Sequence, residues 1–577
     1  MKKGSFEKRE KDFKKGITLE SATEKRRNGQ ISLRKKKKDL LMRQRRQQTQ
    51  QQTSGLKQLL NKYKKEAVLQ NENFELCVEH VKLLCYILNV DEGEPSERYL
   101  RQLFCVNGKP VVLDRLLKLF NTDDKKQEEL VETISWCLSS LSGTKNDGLL
   151  WNNAIYNAGF VDFVHHHIGS ENHDLRDNCW AILLNMCLAI DNMRFVFEQT
   201  NIPKICKSQM VAYLSSGAAA PSEKEHGSIK WLMIFLCAYL EKGEGLPPWQ
   251  HVVEFFPVIV SYIQMVPLIN FKAMLPDQQE WFSLALACIN AISFRCDDID
   301  LSSLNMLLGK SNLLELLIEK AKHIEHVGYT NFRRCIFMIS EYASLDPEFS
   351  FSTQRIIKAD GLQVLSRAIM TNTKEIQQYA VLAMALMVQD SVDVVFELVK
   401  RGTMVDICKN YKHWQMPVRK NVAILFCNMI QILYPNSKTN SADRLDQRNS
   451  TFAALVNRYN CISIMCDFLR QGPGGQLYNA TQTMETVISA LSVALFWREA
   501  MVKKRLEECG GLTSIQSLGS HEQCTTELFE KTNRLLERFY DTSNPYDDGD
   551  DALFDSNVQI MDWGAQNNSA VPNGFNF

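Results

Sequence analysis

The chain has 577 residues, 45% hydrophobic and 23% charged, the balance of a chain that folds in water. Its 67 Lys/Arg and 67 Asp/Glu cancel, yet residues 1–50 hold 18 and 6, a net of +12 that leaves −12 on the rest. A basic arm on an acidic body argues against nucleic-acid binding over the whole surface, and for an interaction tail that can fold back on its own chain.

The opening MKKGSFEKRE has no apolar core behind its lysines, so no secretory signal is expected. The longest apolar stretch, near residues 255–271, is interrupted by Pro257 and Pro267 and is too short for a membrane span. Seventeen cysteines without a CxxC pair predict reduced, mostly buried small hydrophobes in the cytoplasm or nucleus.

Ser21-Ala-Thr-Glu24 reads as a capping box opening a basic helix through Arg46, with Gly29 as its weak point. Glutamines 47, 48, 50, 51 and 52 then begin a polar linker, taken as residues 51–70. From about Asn71 to 540 the sequence turns to apolar-periodic segments: Leu130–Leu141, Cys179–Ile190, Ile229–Leu240, Phe282–Ser293, Arg334–Tyr342, Tyr379–Met387 and Val422–Leu433. Strand alternation is nearly absent, so the chain is predicted to be all-α. A unit recurs, in which a Gly-containing turn and a short apolar helix precede a longer apolar helix. It is seen in AGFVDFVHHHI (158–168), ADGLQVLSRAI (359–369), RGTMVDICKNY (401–411) and CGGLTSIQSLG (509–519). At ~40–47 residues per unit, about ten armadillo/HEAT-type repeats are expected over 71–540, as one solenoid with a long partner-binding surface. Residues 541–577 form an acidic tail, expected to be disordered when alone.

Three passages resemble the importin-α (karyopherin-α) family of nuclear import adaptors. EKRRNGQISLRKKKKDLLMRQRR (24–46) is similar to its importin-β-binding segment, CAYLEKGEGLPPWQHVVEFFPVIV (237–260) to its fourth-repeat loop and following helices, and EECGGLTSIQSLGSHEQ…LLERFYD (507–541) to its last repeat. The resemblance implies a right-handed superhelical armadillo solenoid. It also implies importin-β as the arm's partner, cargo proteins with nuclear localisation signals in the groove, and a recycling exportin at the C-terminal repeat and tail. Carried over by position, the arm residues are Arg26, Arg27, Leu33, Arg34, Lys35, Lys37, Lys38, Arg45 and Arg46. The charges alone leave a second reading open, a solvated nuclear-localisation or nucleic-acid-binding run.

In that family each long helix offers a Trp and, four residues on, an Asn to the groove. Indoles flank lysine stems, and amides bond the peptide backbone. Here the register gives Trp136 with Ser140, Trp180 with Leu184, Trp231 with Phe235, Ala287 with Ala291, Arg334 with Met338, Leu382 with Leu386, and Ile424 with Asn428. Groove candidates are therefore Trp136, Trp180, Trp231, Arg334 and Asn428, with ordinary helix–helix core as the other reading of the indoles. Asn185 lies one place out of register, and the second groove reads as abolished. Gln44 stands where the family's arm has a lysine, so self-inhibition is expected to be weaker.

His165-His166-His167 point around a helix rather than converging on a metal. Gly472-Pro-Gly-Gly475 has no following Lys-Ser/Thr and reads as a loop, and the Asn449-Ser-Thr sequon is idle away from the secretory pathway. No catalytic arrangement, metal set or cofactor motif emerges. The expectation is a non-enzymatic adaptor of cytoplasm and nucleus, or an armadillo scaffold that keeps the arm but has lost signal-peptide transport.

Overall fold

The computed structural model describes most of residues 62–540; the longer connections at 90–96, 121–127, 216–222, 241–246, 266–275, 294–300, 346–350, 436–441 and 471–480 are among those left out. The arm and the acidic tail, with every importin-β-binding candidate from Arg26 to Arg46, lie outside the described residues, as does the Gly472–Gly475 loop. Among the described residues there is no strand, only an isolated bridge between Val106 and Lys109.

The helices fall into two compact units that divide between residues 295 and 296. In the first, five long helices pack each on the next: α1 (Phe74–Leu88), α2 (Glu128–Ser142), α3 (His173–Ala189), α4 (Glu223–Leu240) and α5 (Pro276–Ser293). The second has its own ladder of five: α6 (Ile324–Ala343), α7 (Lys374–Asp390), α8 (Met416–Leu433), α9 (Thr481–Trp497) and α10 (Thr526–Tyr540). Shorter helices line these ladders, and every segment read as a long apolar helix falls on one of them.

Short and long helices differ in how many sides they cover. The short helix Gly361–Ile369 buries Leu362, Val364, Leu365, Ala368 and Ile369, a single stripe at helical spacing. By contrast α7 buries every residue from Ala383 to Val388, because it has a long neighbour on each side and short helices behind it. A buried Leu, Ile or Phe contributes about 1.5–3 kcal/mol, so these sandwiched helices hold each ladder together.

The turn before the short helix has a fixed backbone requirement. A left-handed residue caps it at Gly159 (φ 84°), Asp360 (63°), Gly402 (77°), Asn460 (50°) and Gly510 (69°). In ADG the left-handed residue is thus Asp360, not the glycine that the sequence comparison placed in the turn. Gly361 serves close packing instead: a Cβ there would stand 2.6 Å from Ile356 Cγ2 and 2.9 Å from the Ile356 carbonyl oxygen.

Pro257 gives a second difference from the sequence reading. The helix Trp249–Met265 runs through it, with Pro257 itself exposed. Even so, none of the helices among the described residues is long and apolar enough to cross a membrane.

Candidate functional site

The first unit places a half-exposed row of polar and aromatic side chains along α1, α2 and the start of α3. Lys82 and Tyr86 on α1 and Asn89 just past its end are spaced by four and three residues, so they follow one face. Glu129, Glu132, Trp136 and Ser140 do the same on α2. The two faces meet in three pairs. Lys82 bonds Glu129, the Trp136 ring stands edge-on to Tyr86 (centroids 5.7 Å apart, planes at 86°), and Asn89 Nδ2 donates to Ser140 Oγ at 2.8 Å. Asn172, which caps α3 by accepting from the Asp174 and Leu175 amides, also donates to Glu132 at 3.1 Å.

This arrangement suits a cation carried on an apolar stem. Trp136 keeps part of its indole in solvent with the Glu132 carboxylate one turn back along α2, while Glu129, two turns back, is already paired with Lys82. An aromatic face next to negative charge attracts Lys or Arg and covers its methylenes.

The remaining groove candidates are placed differently. Trp180 is fully enclosed, its ring 5.0 Å from that of Phe235 and its Nε1 donating to Gln209 Oε1 at 3.1 Å. Phe235 stacks on Tyr239 and meets Phe197, so residues 180 and 235 belong to the core between α3 and α4. Trp180 is therefore the core indole of the two readings. Trp231 is 7% exposed on α4, next to the Lys230–Glu280 ion pair that joins α4 to α5 at 2.7 Å. Ala287 and Ala291 are half-buried on α5 and present little to a ligand.

In the second unit Arg334 is half-buried and donates to Asn331 Oδ1 at 3.3 Å, while Met338 is enclosed. At the corresponding positions Phe337, Leu386 and Ile424 are buried and Tyr379 and Leu382 half-buried, with the Phe337 and Tyr379 rings 5.0 Å apart. Burial of Glu341 on α6 pushes its carboxyl up to about 7. Asn428 is 3% exposed and its Nδ2 donates to the Ala385 carbonyl at 2.9 Å. It serves the protein's own backbone, so the expected amide toward a peptide is not presented here.

That bond belongs to a pattern the sequence register missed. Asn421 donates to the Gln378 carbonyl at 3.1 Å, seven residues before the Asn428 contact. In the first unit Asn178 donates to Ser135 Oγ at 3.1 Å and Asn185 to Ser142 Oγ at 2.7 Å. All four bonds reach back 43 residues, from one long helix to the one before it. The signal available in the sequence was the Asn-x6-Asn spacing itself, two turns of helix on one side.

The histidine run is structural where it can be followed. His167 Nε2 bonds the Phe120 carbonyl at 2.8 Å and its ring lies 4.3 Å from that of Phe120. Among the described residues no group of three or more His, Cys, Asp or Glu could hold a metal ion. Asn449 lies inside the helix Ala442–Asn457.

No family model matches the sequence, and no curated protein matches it. Solved structures do resemble the fold. An engineered protein of known crystal structure aligns over 85% of this chain and 100% of its own, with 14% identity and a TM-score of 0.59. A chain from work on a phosphorylation switch controlling the interaction between cadherin and β-catenin aligns over 84% of this chain and 94% of its own, with 12% identity and a TM-score of 0.51. A computationally designed armadillo repeat protein for modular peptide recognition covers 49% of this chain and 99% of its own, at 18% identity and a TM-score of 0.36. At such identities the likeness is one of fold. The protein is an all-α armadillo-repeat solenoid.

Proposed function

We propose that this chain is a nuclear import adaptor that acts by binding and carries no catalytic site. In this reading residues 1–50 engage importin-β, and the α1–α2 face takes an extended basic segment of a cargo protein. The last repeat and acidic tail engage a recycling exportin, so the protein shuttles between cytoplasm and nucleus. The observation that carries the cargo side is Trp136, half-exposed on Tyr86 with Glu129 and Glu132 on the same face of α2. The arm side rests on LRKKKKD and on the net charge of +12 in residues 1–50.

A titration of importin-β against the full chain and against the double variant R34E/K37E tests the arm. Loss of binding is expected, because basic groups enclosed by an acidic partner are costly to leave unpaired. Unchanged affinity would sink the adaptor reading.

One set of observations favours a second reading, a scaffold that binds importin-β without transporting signal-bearing cargo. The Asn185 and Asn428 amides are engaged inside the protein, and Trp180 is core. One of the structures sharing the fold concerns an interaction between cadherin and β-catenin, which supports a protein-binding solenoid in general terms. The two readings separate on one measurement. An adaptor binds both importin-β and a labelled lysine-rich peptide, whereas the scaffold binds importin-β alone.

A further inference from the structure

The seam between α4 and α5 holds two thiols face to face. Cys237 Sγ lies 3.0 Å from Cys288 Sγ, inside the contact distance of two sulfur atoms and about 1 Å beyond an S–S bond. The approach is reciprocal: Cys237 also directs its Sγ at the Leu284 carbonyl, 3.2 Å away, and Cys288 at the Met233 carbonyl, 3.9 Å away. Each cysteine therefore faces the turn that precedes its partner. Both helices belong to the first unit and pack along their length, with the Lys230–Glu280 ion pair two turns away along the same seam.

The pair is also asymmetric in access. Cys237 is partly open to solvent while Cys288 is fully enclosed. That is the layout of a peroxide-accessible thiol with a resolving thiol behind it.

We infer that Cys237 and Cys288 form a reversible disulfide on exposure to a hydroperoxide, fastening α4 to α5. The Cys237 thiolate attacks one peroxide oxygen, the O–O bond breaks, and a sulfenic acid forms as the other oxygen leaves as water or alcohol. The Cys288 sulfur then attacks the sulfenic sulfur; the S–S bond forms, the S–O bond breaks, and the departing hydroxide takes the second thiol proton to leave as water. Two thiols lose two electrons and two protons, and one peroxide is reduced. A dithiol reductant reverses the change by exchange. In a reducing compartment such a bond is transient, which fits a sensor rather than a permanent brace. Fastening here would hold the helix that carries Trp231 against α5.

The test uses the full chain, exposed to hydrogen peroxide, quenched by alkylation and mapped under non-reducing conditions. The expected result is a peptide pair joined through Cys237 and Cys288, two hydrogens lighter than the separate peptides and released by dithiothreitol. Cys237→Ser, at the partly open position, should abolish it while the circular dichroism spectrum stays unchanged. An independent probe is phenylarsine oxide, which bridges two neighbouring thiols without any oxidation. Mass mapping should place one arsenical across Cys237 and Cys288 in the native chain and none there in Cys237→Ser. Absence of the joined peptide at a peroxide dose that oxidises Cys237 to sulfinic acid would overturn the inference. So would an arsenical that never bridges residues 237 and 288.

Discussion

Asn428 on α8 donates its side-chain amide to the Ala385 carbonyl on α7 at 2.9 Å, and Asn185 on α3 stands in the same 43-residue relation to Ser142 on α2 at 2.7 Å. These buried amides tie α8 to α7 and α3 to α2, which gives Asn428 a structural role in place of the one its spacing after a groove position suggests. Asn428→Ala should cost about 1–2 kcal/mol, the loss of a buried hydrogen bond with a small packing defect. Affinity for a basic peptide should stay within twofold. Urea unfolding beside a peptide titration checks both; a large affinity loss with unchanged stability would return Asn428 to the groove.

Trp136 and Trp180 should separate cleanly under substitution. Trp136→Ala removes a half-exposed indole one turn from Glu132, so affinity for a lysine-rich peptide should fall about tenfold, from ~0.5–2 kcal/mol of cation–π contact. Its effect on folding should be modest. Trp180→Ala leaves a hole between Phe235 and Gln209 and should destabilise the protein by about 3–5 kcal/mol. Thermal melts and peptide titrations on both variants provide the check, and equal affinity losses would contradict the assignment of Trp180 to the core.

The contrast between these indoles marks what the sequence could carry. Helix positions were legible from apolar periodicity and from the recurring turn before each short helix. The facing of the long helices was not. On α3 every residue from Cys179 to Cys187 is buried, so no polar stripe marks an outward side and the Trp-to-Asn register has nothing to fix it. On α2 Glu129, Glu132, Trp136 and Ser140 break the apolar run at helical spacing, and there an outward row could be read. The left-handed turn was legible where glycine fills it, at Gly159, Gly402 and Gly510. It was misplaced by one residue at Asp360, because a neighbouring glycine is required for packing.

Arg355 should be a stability determinant of the second unit. Its Nε and Nη2 hold both Glu315 oxygens at 2.7 and 2.6 Å, while Nη1 and Nη2 reach the Gly309 and Ser311 carbonyls at 2.7 and 2.6 Å. Arg355→Ala removes all four bonds and leaves two carbonyls without that donor, for an expected loss of about 2–4 kcal/mol at pH 7. The Arg355 hydrogen bond holds the Glu315 carboxyl below its ordinary value. The corresponding stability is present above the unfolded-state pKa and is lost as pH falls through the depressed folded value. The gap between wild type and Arg355→Ala should therefore narrow in acid, as urea titrations at pH 7 and pH 3 would show. An undiminished gap at pH 3 would mean that the carbonyl bonds supply the whole effect.

Glu341 should give the opposite pH dependence. Burial raises its carboxyl to about 7 from an ordinary value of 4.5, so the folded chain keeps a proton that the unfolded chain has already released. Between those two values the native state binds more protons than the unfolded state, and stability must fall as pH rises. Below about 4.5 both states are protonated and no penalty exists; above about 7 both are ionised and the penalty is complete. Each unit of displacement is worth ~1.4 kcal/mol in full burial, and with Glu341 still partly open a loss on the order of 2 kcal/mol is expected across the window. Glu341→Gln keeps the shape and removes the ionisation, so it should match wild type near pH 4.5 and exceed it near pH 8. Chemical denaturation of the two proteins at both pH values is the measurement. A wild type that is the more stable at pH 8 would show that the carboxylate has found a cationic partner, with Arg333, which like Glu341 acts on the neighbouring Tyr379 hydroxyl, as the first to examine.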